Sequence, residues 1–171
     1  MKNQKVKAIT RIALMVAFLS VVSQIAIPTV FSVPLTLQIF AVSLIGYIFK
    51  LKKSLITVLI YVVIGAVGIP VFANFQGGLF HLFSYTGGFI WGFFPLVILC
   101  SVSPASLKPA FGFLGVLACH LLGALQYSLV SRTSLWMSLL TMSLPYILKD
   151  FILLFLAYLC AKALNSRIKS K

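Results

Sequence analysis

The sequence predicts an all-α integral membrane protein. Three observations lead there: an excess of apolar residues, six apolar stretches near the length of a membrane span, and basic residues gathered at alternate connections. Hydrophobic residues make up 61% of the 171-residue chain and charged residues 9%, against about half and about a quarter in a soluble domain. Mean hydropathy is +1.14. So much apolar surface has no water-facing role.

A span takes about 20 apolar residues. The first stretch, about residues 8–27, follows a basic segment and contains Arg11. It exceeds the roughly 7–15 residues of a secretory signal's apolar region and carries no clear small-residue cleavage pattern, so it reads as a retained first span. The others cover about residues 35–49, 54–69, 86–102, 109–129 and 146–164. The second is short unless it begins within the loop before it. Pro28, Pro34, Pro70, Pro104, Pro109 and Pro145 fall at or near these boundaries, where a missing N–H costs least. Residues 134–144 are apolar too, and read as an interfacial helix or a loop leading into the last span.

Charge sets the expected topology. With the N-terminus in the cytoplasm, Lys2, Lys5, Lys7, Arg11, Lys50, Lys52, Lys53, Lys108, Lys162, Arg167, Lys169 and Lys171 all lie inside, and only Arg132 falls in an outer loop. That distribution follows the positive-inside rule. It predicts one transmembrane domain over residues 1–171, six spans, both termini cytoplasmic, and a multi-pass place in the cytoplasmic membrane.

Several functions lack their parts. The net charge of +13 comes from residues between apolar runs rather than from one basic face, which disfavours nucleic acid. No GxxxxGK[ST] segment is present, so no P-loop is expected. One carboxylate, two histidines and three cysteines in apolar runs (Cys100, Cys119, Cys160) form no metal or paired-carboxylate pattern. The chain is therefore expected to be no enzyme and to hold neither metal nor cofactor. A small membrane binder, transporter or channel remains.

Asp150, the one acidic residue, stands in an apolar stretch beside Lys149. A charge there costs roughly 2.5–3.5 kcal/mol on insertion scales and tends to mark function. Pairing with Lys149 or a hydroxyl would explain it structurally. The connection after the third span, residues 68–78, and the stretch 85–93 carry glycine pairs, Asn74, Gln76 and aromatics. Gly77, Gly78, Tyr85, Thr86, Gly87 and Gly88 could let backbone approach a ligand. The glycines could equally make turns and close helix contacts, Gly88-x-x-x-Gly92 above all. Thr36 and Gln38 would face one side of an extended entry to the second span, or Gln38 would be a helix-packing hydrogen bonder. His81 reads as a loop residue and His120 as a satisfied intramembrane donor.

Val33-Pro34-Leu35-Thr36-Leu37-Gln38, then Gly68-Ile69-Pro70-Val71-Phe72, then Thr86-Gly87-Gly88-Phe89 resemble the BioY family, the biotin-binding substrate subunits of energy-coupling-factor vitamin transporters. The likeness covers nearly the whole chain. It implies a six-helix membrane fold with a biotin pocket near the outer face, capped by the first and third connecting loops. It also implies docking on a membrane coupling subunit with two ATPase subunits, through an Ala-x-x-x-Ala face on the first helix, here Ala13 and Ala17. Asp150 and Asn74 are then candidates for the polar head of biotin, and Lys149 for its carboxylate, with Arg132 as rival. The family's lysine three residues after the aspartate is Leu153 here. A substrate subunit for thiamin or riboflavin, and a stand-alone facilitator, are the alternatives.

Overall fold

The computed structural model describes residues 2–27, 34–104 and 106–169. Met1, residues 28–33 (with Pro28, Val33 and most of the first connecting loop), Ala105, Ser170 and Lys171 lie outside the described residues. Six helices of eleven residues or more are described: α1 (Lys2–Ser23), α2 (Gln38–Ile48), α3 (Leu51–Ala66), α5 (Gly87–Val102), α6 (Lys108–Ser131) and α8 (Leu144–Lys169). Two short ones, α4 (Leu79–Phe83) and α7 (Leu135–Ser138), lie in the connections.

Helix ends differ from the expected stretches for local reasons. α1 stops at Ser23, and Ala26–Ile27 (β1) instead pairs antiparallel with Leu35–Thr36 (β2). The second stretch thus begins extended, and α2 keeps only eleven residues, about 16 Å of helix. In residues 134–144, Ser134 caps α7 by accepting from the Met137 N–H. A π-helical segment, Leu139–Ser143, then runs straight into α8.

By length and composition, α1 (from Asn3) and α6 are long and apolar enough to cross a membrane; α2 and α5 are shorter apolar helices. α8 is as long as α6 but carries Lys149, Asp150, Lys162 and Arg167.

The core sits where α2, α3 and α5 meet, around Ile45, Val58, Tyr61, Leu96 and Val97, all fully buried. α5 and α6 form the closest helix pair. A Cβ on Gly88 would meet the Leu122 carbonyl and Gly123, and one on Gly92 would meet Cys119. Small residues four apart let these backbones touch. Chain direction puts the starts of α2 and α5 and the ends of α1, α3 and α6 at one end of the bundle. Lys50, Lys52, Lys53 and Lys108 lie at the other.

Candidate functional site

A cavity of about 300 Å³ opens at the end of the bundle where α2 begins, at the lower edge of the roughly 300–1,000 Å³ of small-molecule pockets. The extended approach to α2 brings Pro34 and Thr36 to the cavity, and the first turn of α2 brings Gln38 and Ile39. α5 contributes Phe89, Ile90 and Phe93, and α8 contributes Tyr146 and Lys149. The connection between α3 and α5 supplies the remaining wall: Phe72, Ala73, Asn74 and Gln76, then Phe80, His81, Ser84, Tyr85 and Thr86.

Hydrogen counting orients the Gln38 amide. Ser23 Oγ donates to Leu19 O (2.7 Å), and Tyr61 OH donates to Val71 O (3.1 Å). The two hydroxyls lie 3.0 Å apart and share a hydrogen bond, and each accepts from Gln38 Nε2, at 3.2 and 3.0 Å. Gln38 Oε1 then faces Thr36 Oγ1, which donates to it at 3.2 Å. An amide oxygen has two lone pairs, so Oε1 can accept one bond more, and Gln38 is among the residues that line the cavity.

Lys149 is the cavity's cation, with its side chain 27% exposed. Its Nζ sits 2.7 Å from Asp150 Oδ1 and donates to Thr36 O at 2.9 Å. An ammonium has three N–H groups; one donates to Thr36 O, and the contact with Asp150 Oδ1 is an ion pair without hydrogen-bond geometry, so at least one is uncommitted among the described residues. Asp150 is buried and does not line the cavity. Its Oδ2 lies 3.1 Å from His120 Nε2 on α6. A carboxylate only accepts, so Nε2 carries the proton. Asp150 therefore ties α8 to α6 and holds Lys149 from behind.

Of the residues singled out by sequence, the cavity gathers Thr36, Gln38, Asn74, Tyr85, Thr86 and Lys149. Gly77, Gly78, Gly87 and Gly88 are not in its lining. A Cβ on Gly77 would strike the Ile69 carbonyl, and one on Gly87 would strike Leu82 O and Gln126. These glycines bring backbone onto backbone; Gly78, at φ 104°, is a turn. Arg132 ends α6 in the left-handed conformation, outside the lining. Ala13 and Ala17 are both exposed, one turn apart on α1. His81 lines the cavity rather than a bare loop.

Sequence reasoning passed over the two amides that fasten the wall. Gln24 bonds to Val71 and Phe75. Gln126 Nε2 donates to Leu82 O at 2.9 Å and Ser84 O at 2.8 Å. Their signal was present: an amide inside or at the edge of an apolar span needs a partner.

Fold and site together define a helical membrane protein with a partly apolar small-molecule cavity at one end and an ammonium in its wall. The BioY family profile matches residues 1–170, and the chain belongs to the BioY family, whose members are transporter substrate components and not enzymes. A probable biotin transporter BioY of Pyrococcus horikoshii is 38% identical over 119 residues, covering 70% of this chain and 73% of that protein. Biotin transporter BioY2 of Lactococcus lactis is 32% identical over 158 residues, covering 89% and 86%. A solved structure described as the S-component for biotin from an ECF-type ABC transporter superposes with a TM-score of 0.89 at 25% identity, covering 97% of this chain and 94% of that one.

Proposed function

We propose that this chain takes up biotin across the cytoplasmic membrane as the substrate-binding subunit of an ATP-driven energy-coupling-factor transporter. One observation carries the reading: a single cavity presents a hydrogen-bond acceptor and an ammonium within apolar walls. Biotin has matching groups, ureido N–H donors at one end and a carboxylate at the other. Gln38 Oε1 and the Asn74 amide serve the ureido ring, and the free N–H of Lys149 serves the carboxylate. Tyr85 and Thr86 flank the mouth. Asp150 acts one step back, holding Lys149 in place, and Lys149 supplies the cation in place of the lysine that is Leu153 here. The biotin-transporter relatives and the superposed S-component for biotin support the same ligand.

The six long helices are six spans of a single domain, with the cavity outward and both termini cytoplasmic. α2 is too short to cross alone, and its extended approach completes the distance. The exposed Ala13 and Ala17 dock on the membrane coupling subunit, which two ATPase subunits drive. The ligand test is mass spectrometry of small molecules retained by the purified chain. Biotin is expected; thiamin or riboflavin in its place would overturn the assignment. Uptake of biotin into vesicles by this chain alone would instead support a facilitator.

A further inference from the structure

We propose that Gln24 is a latch on the cavity wall, fastening the 70–75 turn to the end of α1 and setting how fast bound ligand escapes. The proposal rests on the biotin reading above. Gln24 uses both halves of its amide. Oε1 accepts the Phe75 N–H at 2.8 Å. Nε2 donates to Ser20 O within α1 at 2.9 Å and to Val71 O at 3.1 Å. Donors and acceptors are matched on each side, so a flipped amide would break all three bonds.

What the latch holds is strained. Asn74 and Phe75 stand at φ 58° and 57°. Asparagine tolerates the left-handed region, whereas a bulky aromatic is an outlier there. Such a conformation persists only where its surroundings impose it. The foot of the turn is set independently: Phe72 packs against Gly65 and lies edge-on to Tyr61, with centroids 5.6 Å apart. Its tip has less support, since Phe75 is 71% exposed. Among the described residues the Phe75 N–H goes to Gln24. The far part of the wall, at Leu82 and Ser84, is held by Gln126 from the closely packed α6. The base of the turn is closed by the Phe72 N–H donating to Gln76 O at 2.9 Å, so loss of Gln24 frees the tip alone, moving Ala73 and Asn74 off the cavity.

The experiment compares wild type, Gln24→Met and Gln24→Glu as purified full-length chains. Labelled biotin is bound and chased, association is timed separately, and amide hydrogen exchange is followed at Phe75. Gln24→Met removes both halves of the amide. It is expected to speed biotin release at least tenfold, change association less than twofold, and accelerate Phe75 exchange. Gln24→Glu keeps the acceptor for the Phe75 N–H but sets an oxygen against Ser20 O and Val71 O, and is expected to give Phe75 exchange and biotin release between those of wild type and Gln24→Met. Release within twofold of wild type in Gln24→Met would overturn the latch, as would unchanged Phe75 exchange. If wild type itself retains no biotin, the functional reading fails, and Phe75 exchange in the same samples still decides whether Gln24 holds the turn.

Discussion

Lys149 and Asp150 are chain neighbours with different tasks. The ammonium reaches the cavity, and the carboxylate stays buried between Lys149 and His120. Charge-assisted hydrogen bonds contribute about 1.5–3 kcal/mol. Lys149→Ala is therefore expected to weaken biotin binding roughly 10- to 100-fold, read by titration calorimetry, and to lower thermal stability as well, because the buried Asp150 loses a charge partner. Asp150→Asn keeps the volume but removes the partner charge. It is expected to lower thermal stability by about 1–3 kcal/mol and to weaken binding less than Lys149→Ala does. Wild-type affinity in both would remove them from the site. That the pair is unusual was legible from one carboxylate in an apolar stretch. That one residue lines the cavity while the other stands behind it was not. Adjacent residues on a helix diverge by about 100°, and packing against α6 decides which of them turns inward.

At the scale of elements, the short α2 and its extended approach make room for the cavity. The alternation rule would put Thr36 and Gln38 on one side of an extended entry; both line the cavity, but Gln38 does so as the first residue of α2, with Thr36 in the strand before it. The glycine pairs show where sequence reasoning stops. Glycine reports a close approach without saying to what, and here the partners are carbonyls of neighbouring segments. α1 offers the opposite case, because Ala13 and Ala17 are left uncovered. Ala13→Trp and Ala17→Trp are expected to abolish co-purification with the coupling subunit while biotin affinity stays within twofold of wild type. Normal co-purification would place the docking face elsewhere. An indole on an exposed face disturbs a partner's close approach, not this bundle's own packing.

For the whole molecule, the proposed orientation places the cavity wall outside and the lysine-rich connections inside. Single cysteines at Phe80 and Lys52, in a background with the three native cysteines replaced by alanine, test it on intact cells. Phe80→Cys is expected to react with a membrane-impermeant reagent, and Lys52→Cys only after permeabilisation. The reverse pattern would invert the topology. Composition, apolar run length and the placement of basic residues by themselves determined the class, an α-helical membrane protein, because those quantities depend on the chain's partition into an apolar phase and not on its packing. Three separated motifs carried the family resemblance. Only the tertiary structure decided which polar groups meet. Gln24 and Phe75 are 51 residues apart in the chain, and Lys149 and Thr36 are 113 apart. Hydrogen bonds act over about 3 Å, so contacts between such distant positions exist only once the helices have packed.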